Sequence, residues 1–321
     1  MSRILITGSA GFIGFHLSRS LLKDGVEVFG VDNINDYYDT NLKNNRLKIL
    51  HEFENFSFSK VDISNKTKIE EVFDKFKPTK VVNLAAQAGV RYSIENPYAY
   101  LDSNLIGFLN IIELCRHNNV KGLIYASSSS VYGGNKKMPF SVNDRVNKPL
   151  ALYGATKRAN ELIAHSYSHL YDIHTTGLRY FTVYGPWGRP DMAMFIFTKN
   201  IFEGKPIPVF NNGKMKRDFT FIDDIINGTK AAINKNYKCE VFNLGNNCSE
   251  KLMYMIGLIE KELNIKAKIN YMPIQPGDVT ESFAEISFSY KKLGYKPIIN
   301  IDKGIKKFIS WYLNYYGKNI F

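Results

Sequence analysis

Tyr153 and Lys157 stand at i and i+4 in Tyr153-Gly154-Ala155-Thr156-Lys157, a spacing that puts both side chains on one face of a helix. A free phenol titrates near pKa ~10, and a neighbouring ammonium favours its ionised form. The pair therefore reads either as a general base with its electrostatic partner or as an ordinary helix with an exposed lysine. The run Ser127-Ser128-Ser129-Ser130 supplies hydroxyls able to hold a reacting oxygen, and reads equally as a plain loop after a strand. His165 and His169 are also four apart but lack a third ligand, so they read as a surface pair and no metal site is expected.

Upstream lies Thr7-Gly8-Ser9-Ala10-Gly11-Phe12-Ile13-Gly14, between a short apolar run and an amphipathic one. Gly8 suits a tight turn, Gly11 lets backbone approach a pyrophosphate, and Gly14 suits close packing of helix on strand, while the helix start offers free N–H groups. Glycine turns also join strands to helices for structural reasons alone. Asp32 closes the second apolar run, where a carboxylate accepts hydrogen bonds from both hydroxyls of an adenosine ribose and repels a 2′-phosphate. NAD is thus expected rather than NADP. The alternative is an Asp that opens the polar turn Asp32-Asn33-Ile34-Asn35-Asp36. Asp62 either contacts the adenine or caps the helix that begins after Asn65.

These side chains need a sheet to position them. Short apolar runs at Arg3–Thr7, Glu27–Val31, Phe56–Lys60, Lys80–Leu84, Gly122–Ala126 and His174–Arg179 predict strands. Amphipathic stretches at Phe12–Lys23, Lys66–Phe76, Ala99–Asn118 and Tyr153–Tyr171 predict the helices between them. Such alternation is the pattern of right-handed βα units feeding a parallel sheet. Beyond Phe181, Gly and Pro punctuate a less regular texture. A helix at Ile222–Asn234 and a strand at Glu240–Leu244 are expected to rejoin the sheet, with final helices near Lys251–Leu263 and Lys303–Tyr315. The expected division is a nucleotide-binding domain over 1–181, rejoined by about 219–245, and a discontinuous second lobe formed by 182–218 and 246–321.

The chain has 321 residues, 45% hydrophobic and 22% charged, which suits a folded α/β protein and excludes a disordered or disulfide-stapled one. Its net charge of +12 admits nucleic acid, a membrane surface or phosphorylated small molecules as partners. The lysine runs are only pairs, and neither an aromatic RNA platform nor a basic helix is visible, so nucleic acid and membrane are not expected. Cys115, Cys239 and Cys248 are widely spaced, which suits a reducing cytoplasm, and no long apolar segment predicts export or a membrane span.

The motifs taken together resemble the extended short-chain dehydrogenase/reductases, the NAD-dependent epimerase/dehydratase family. The resemblance runs through Thr7-Gly8-x-x-Gly11-x-x-Gly14, Asn83-Leu84-Ala85-Ala86, the serine run and Tyr153-x-x-x-Lys157. Two longer strings are similar to the UDP-glucuronate 4-epimerase group: Leu84-Ala85-Ala86-Gln87-Ala88-Gly89-Val90-Arg91-Tyr92-Ser93, and Arg179-Tyr180-Phe181-Thr182-Val183-Tyr184-Gly185-Pro186-Trp187-Gly188-Arg189-Pro190-Asp191-Met192-Ala193.

The resemblance implies an α/β fold, a Rossmann-type doubly wound parallel sheet with a smaller, discontinuous α/β substrate-binding lobe. It implies inversion at carbon 4 of a UDP-sugar through a transient 4-keto form with bound NAD, in the service of polysaccharide synthesis. Tyr153 is then the base, Lys157 its partner and a ligand of the nicotinamide ribose, and Ser128 the hydroxyl on the reacting oxygen, with Ser127 and Ser129 as substitutes. Gly8, Gly11, Phe12, Ile13, Gly14, Asp32, Asp62, Ile63, Leu84, Ala85 and Ala86 become cofactor contacts. Arg91, Thr182, Arg189, Arg217 and Asp278 become substrate contacts. Thr182 and Arg189 face a sugar carboxylate or merely support their loop, and Arg217 clamps the diphosphate or pairs with Asp218 or Asp223. Asp278, in Gln275-Pro276-Gly277-Asp278, resembles the acid on the uridine ribose. A homodimer through the helices at Ala99–Asn118 and Tyr153–Tyr171 is implied as well.

Two departures stand out: Asn83 where many relatives have His, and Gln275 where galactose epimerases tend to have Arg. The competing expectations are a UDP-glucose or UDP-N-acetylglucosamine 4-epimerase and, from another class, a redox-inactive nucleotide-sensing protein.

Overall fold

The computed structural model describes residues 2–275 and 277–317. Its main sheet begins with β1 (Arg3–Thr7), β2 (Glu27–Asp32), β3 (Phe56–Lys60), β4 (Lys80–Asn83), β5 (Leu123–Ser128) and β6 (Thr175–Tyr180). After β7 (Thr182–Tyr184), β8 (Pro206–Phe210), β9 (Lys216–Arg217) and β10 (Phe219–Phe221), the chain returns with β11 (Cys239–Leu244) as a seventh parallel strand. The order is β11-β6-β5-β4-β1-β2-β3, all neighbours parallel. Strand order reverses between β1 and β4, where a doubly wound sheet opens a crevice at its C-terminal edge.

Helices cover both faces, which is why the strand interiors are apolar throughout. On one face, α1 (Phe12–Lys23) packs with a core around Phe15, Leu17, Ile225 and Phe242. On the other, α3 (Lys66–Phe76) joins Ile69, Phe73, Phe108 and Ile111 in a second core. Between α1 and α3, α2 (Thr40–Leu50) escapes the periodicity argument, because Lys43 and Arg46 share its buried face with Leu42, Leu47 and Leu50.

The single helix expected at Ala99–Asn118 is broken in three. After α4 (Tyr92–Glu95), α5 (Pro97–Tyr100) passes into a wider π turn over Leu101–Ile106 and then into α6 (Gly107–His117). Buried Asn104 in that π turn holds the Gln87 backbone at both N–H and C=O and donates to Thr156 Oγ1 at 3.0 Å. That tie joins the turn to α7 (Leu152–Tyr171).

The strand expected at Gly122–Ala126 lies further on and runs to Ser128, so two of the four serines obey strand alternation. α9 (Ile222–Lys235) returns to pack on α1, and the lobe beyond β6 is built from α8 (Ala193–Phe202), α10 (Leu252–Leu263), α11 (Ser287–Leu293) and α12 (Ile301–Tyr316), with β12 (Glu250–Lys251), β13 (Lys268–Met272) and β14 (Glu281–Ser282). Its pieces of sheet are β7 with β10, β8 with β13, and β9 between β12 and β14. Two- and three-residue strands carry too little pattern to be read in advance. No described helix is long and apolar enough to cross a membrane.

Candidate functional site

A cleft of about 440 Å³ runs along the C-terminal edge of the sheet and out to β9 and the segment before β14. At its inner end Gly8 takes φ +72°, and a Cβ there would sit 2.8 Å from the Ala85 nitrogen, so the turn rests directly on the chain after β4. A Cβ at Gly14 would collide with the Gly8 carbonyl oxygen. Gly11 opens α1 with no side chain capping the free N–H groups, and this leaves a cradle that fits a pyrophosphate. Phe12, Ile13, Ile63, Leu84, Ala85 and Ala86 line the same wall.

Asp32 is nearly enclosed, with Oδ2 accepting from the Ala10 N–H at 3.1 Å and Oδ1 from the Ile34 N–H at 2.8 Å. It therefore opens the polar turn and also lines the cleft, with acceptor capacity left on its two oxygens. Burial pushes its carboxyl above the ordinary range, against the pull of its backbone donors and Lys43. Asp62 also faces the cleft but does not cap α3. Asn65 does that, while Asp62 accepts from Asn33 Nδ2 at 2.7 Å and from the Ser64 N–H and hydroxyl.

At the chemical end the Lys157 ammonium donates to the Ala126 carbonyl at 2.9 Å, and burial lowers its pKa to about 8. Burial pushes the Tyr153 phenol up, and the Ser128 hydroxyl and Arg189 guanidinium pull it back. Strand alternation separates the serines: Ser127 Oγ turns down to the Glu161 carboxylate at 2.6 Å, while Ser128 stands towards Tyr153 and contacts Ser130. Ser129 opens the short 3-10 turn that follows.

At the outer end Thr182, Arg189, Arg217 and Asp278 line the cleft. Arg189 is no free clamp, because its Nε and one terminal nitrogen both donate to the Asp191 carboxylate. Burial alone would lower its pKa, and Asp191 outweighs burial and raises it. Tyr37 donates to the same carboxylate at 3.2 Å.

Arg91 stands at the rim, half in solvent, paired with Asp278 at 3.2 Å and stacked 4.5 Å over the Phe210 ring. Arg217 pairs with neither Asp218 nor Asp223. It donates to the Lys216 and Thr280 carbonyls, and burial lowers its pKa against the opposing charge of Asp278. Gln275 precedes Pro276, which lies outside the described residues. No group of three metal-ligating side chains occurs among the described residues, and His165 has Cys239 beside it at 3.8 Å.

A family model described as the NAD dependent epimerase/dehydratase family matches residues 4–245. The chain belongs to that family. Protein CapI of Staphylococcus aureus is 52% identical over 98% of this chain and 100% of its own length. UDP-glucuronate 4-epimerase 2 of Arabidopsis thaliana is 46% identical over 99% of this chain and 78% of its own. Among solved structures, UDP-glucuronic acid 4-epimerase from Bacillus cereus, in complex with UDP-glucuronic acid and NAD, superposes with a TM-score of 0.92 at 34% identity, covering 98% of this chain and 100% of that one. This member of the family is an NAD-dependent nucleotide-sugar 4-epimerase.

Motif reading passed over several residues that the fold brings to the epimerase site. Lys43 and Tyr38 line the cleft beside Asp32, with Lys43 Nζ held 2.7 Å from both the Asn35 carbonyl and Asn35 Oδ1. Tyr37 and Asp191 set the plane of Arg189 from the far side. Glu161, one turn beyond Lys157, accepts from Ser127, Arg158 and Arg179 beneath the serine strand. The i+4 spacing of Glu161 from Lys157, on the Tyr153 helix, is the one signal that pattern alone offered for the last of these.

Proposed function

We propose that the enzyme inverts carbon 4 of UDP-glucuronate to give UDP-galacturonate, with Tyr153 taking the hydroxyl proton and Arg189 with Thr182 holding the sugar carboxylate. The observation that carries this reading is that Arg189 and Thr182 line the same cleft as Tyr153 and Ser128, with the Arg189 charge pulling the phenol's pKa down. NAD, when bound, supplies the two-electron acceptor that takes a hydride from carbon 4 and returns it to the other face of the resulting 4-keto sugar.

The chain's own work is to hold and move protons and to fix the sugar. Ser128 donates to the oxygen on carbon 4 while the Tyr153 oxygen receives its proton. Lys157 fixes the end of β5 through the Ala126 carbonyl and would hold the nicotinamide ribose of bound NAD. Gly8, Gly11, Phe12, Ile13 and Gly14 cradle the pyrophosphate. Asp32 takes the adenosine ribose, and Asp62, Ile63, Leu84, Ala85 and Ala86 form the remaining cofactor wall.

Arg217 meets the substrate diphosphate, and Asp278, steadied by Arg91, meets the uridine ribose. On this reading residues 1–181 with 219–245 hold the cofactor, and 182–218 with 246–321 hold the nucleotide sugar. A 4-keto uronate is a β-keto acid that loses carbon dioxide when its carboxylate bond aligns with the carbonyl π-system. A carboxylate pinned by Arg189 is kept out of that alignment.

A second copy belongs to the same reading. Tyr98, Ile106 and Leu109 from the α5–α6 stretch and Leu162 from α7 present exposed apolar side chains on the two elements expected to pair.

One observation favours the neutral-sugar reading, UDP-glucose: Asp191 already neutralises Arg189 within the protein. Proton NMR of purified enzyme given each nucleotide sugar separates the two. UDP-glucuronate giving UDP-galacturonate signals supports the first reading; conversion of UDP-glucose with UDP-glucuronate untouched sinks it.

A further inference from the structure

The segment that brings Arg189 into the cleft has a backbone held under constraint. Trp187 takes φ +62°, a left-handed conformation that a bulky side chain keeps only where its surroundings impose it. Three successive carbonyls are gripped. His16 Nε2 meets the Pro186 carbonyl at 2.9 Å, and one terminal nitrogen of Arg46 donates to the Trp187 and Gly188 carbonyls at 2.6 and 3.3 Å. The Trp187 ring is wedged among Phe15, Trp311 and Tyr315.

Arg46 itself is unusual. It is fully buried, and no carboxylate lies within ion-pair distance of it among the described residues. Burying a guanidinium without a counter-ion is costly, so hydrogen bonds must compensate. Its second terminal nitrogen supplies them on the other side, donating to the Ala10 carbonyl and the Tyr38 hydroxyl, both at 2.8 Å. Ala10 sits in the glycine turn, and its N–H donates to Asp32. A planar fork can span the glycine turn and the Trp187–Gly188 carbonyls together; a lysine offers one point of attachment.

We propose that Arg46 is a positioning residue that locks the Pro186–Arg189 backbone to the glycine turn, so that Arg189 meets the sugar carboxylate at a fixed distance from the cofactor cradle. This rests on the UDP-glucuronate reading above. Neither Arg46 nor His16 lines the cleft, so both act through the segment they hold. A sugar carboxylate that drifts lets the 4-keto form break its C5–C6 bond: carbon dioxide leaves, the electron pair of that bond forms the enolate of the ketone, and carbon 5 then takes a proton from water, leaving hydroxide.

The test uses the NAD-loaded enzyme carrying Arg46→Lys or Arg46→Met, with Arg46→Lys deciding where Arg46→Met fails to fold. Four quantities are read: kcat and KM for UDP-glucuronate, carbon dioxide released per turnover, affinity for UDP alone, and amide exchange over residues 186–192. The expected result is a kcat lowered by roughly 10- to 100-fold, as a small misplacement of a reacting group produces. Carbon dioxide release rises and exchange over 186–192 quickens, while UDP affinity and bound NAD stay as in the parent enzyme. Unchanged kinetics and product partition overturn the proposal, as does a loss of UDP affinity and NAD in step with kcat, which would make Arg46 a support of the whole fold. If the parent enzyme leaves UDP-glucuronate untouched, the substrate reading falls, and the exchange data alone then decide Arg46: quickening confined to 186–192 supports the lock and unchanged exchange overturns it.

Discussion

The Lys157 ammonium reaches the Ala126 carbonyl oxygen at 2.9 Å, and burial brings its pKa down to about 8. The unfolded chain holds that proton up to the ordinary lysine value of ~10.4. Between those values the unfolded state binds more protons than the folded one, so this group's contribution to stability rises with pH there and is a penalty below about 8. Lys157→Met removes the penalty and the hydrogen bond together. It should leave the protein as stable as the parent or more so at pH 7, by up to roughly 1–3 kcal/mol, while epimerisation is lost. Denaturant melts at pH 7 and pH 9.5 check the sign: any advantage of the variant shrinks at the higher pH.

Tyr153→Phe removes the proposed proton acceptor and leaves the ring. Turnover should fall by about 10²–10⁴, the usual worth of a positioned general base, with UDP affinity unchanged. An inversion rate equal to the parent's would remove Tyr153 from the mechanism, and steady-state kinetics beside UDP titration calorimetry gives both numbers.

The parts of the molecule legible in sequence were those where one physical pattern dominates. Phe12–Lys23 and Lys66–Phe76 are amphipathic helices with an apolar buried face, and the structure has them at those limits. Where burial is polar the pattern fails: α2 buries Lys43 and Arg46, and the π turn buries Asn104, so neither announces itself by hydrophobicity. The same holds at the site. Ser127 and Ser128 are identical in type, and only the extension of β5 to Ser128 assigns one to Glu161 and the other to Tyr153. Nor does any spacing reveal the left-handed bend at Trp187 or that Arg189 spends its fork on Asp191.

Glu161 and Arg179 form a buried bidentate pair, at 2.8 and 2.9 Å, which also holds Ser127 and passes through Tyr132 to Asn243 on β11. Glu161→Gln leaves Arg179 charged and uncompensated inside the protein. The expected loss is about 3–5 kcal/mol by denaturant titration, the range for breaking one side of a buried pair. Glu161→Gln with Arg179→Met should recover part of it, since both charges are then gone.

The exposed apolar side chains of α6 and α7 make the oligomeric state testable. Leu109→Lys with Leu162→Lys puts charge on both elements without touching the cleft. The parent should sediment as a dimer and the double variant as a monomer. Equal sedimentation coefficients would leave that face without a second copy.

Arg189 is bonded to Asp191 in the structure, and the proposed function asks it to hold a sugar carboxylate as well. Arg189→Ala should lower UDP-glucuronate turnover by about 10²-fold or more, because a buried charge-assisted contact is worth roughly 2–5 kcal/mol. It should also release carbon dioxide, seen as a pentose product by proton NMR. Asp191→Asn keeps an acceptor for the Arg189 Nε and removes the negative charge. If Asp191 competes with the substrate for the guanidinium, KM for UDP-glucuronate falls in this variant, while kcat falls too because the plane of the fork is less fixed. A KM that rises instead assigns Asp191 to shaping the loop, with the substrate meeting Arg189 at the nitrogen that Asp191 leaves free.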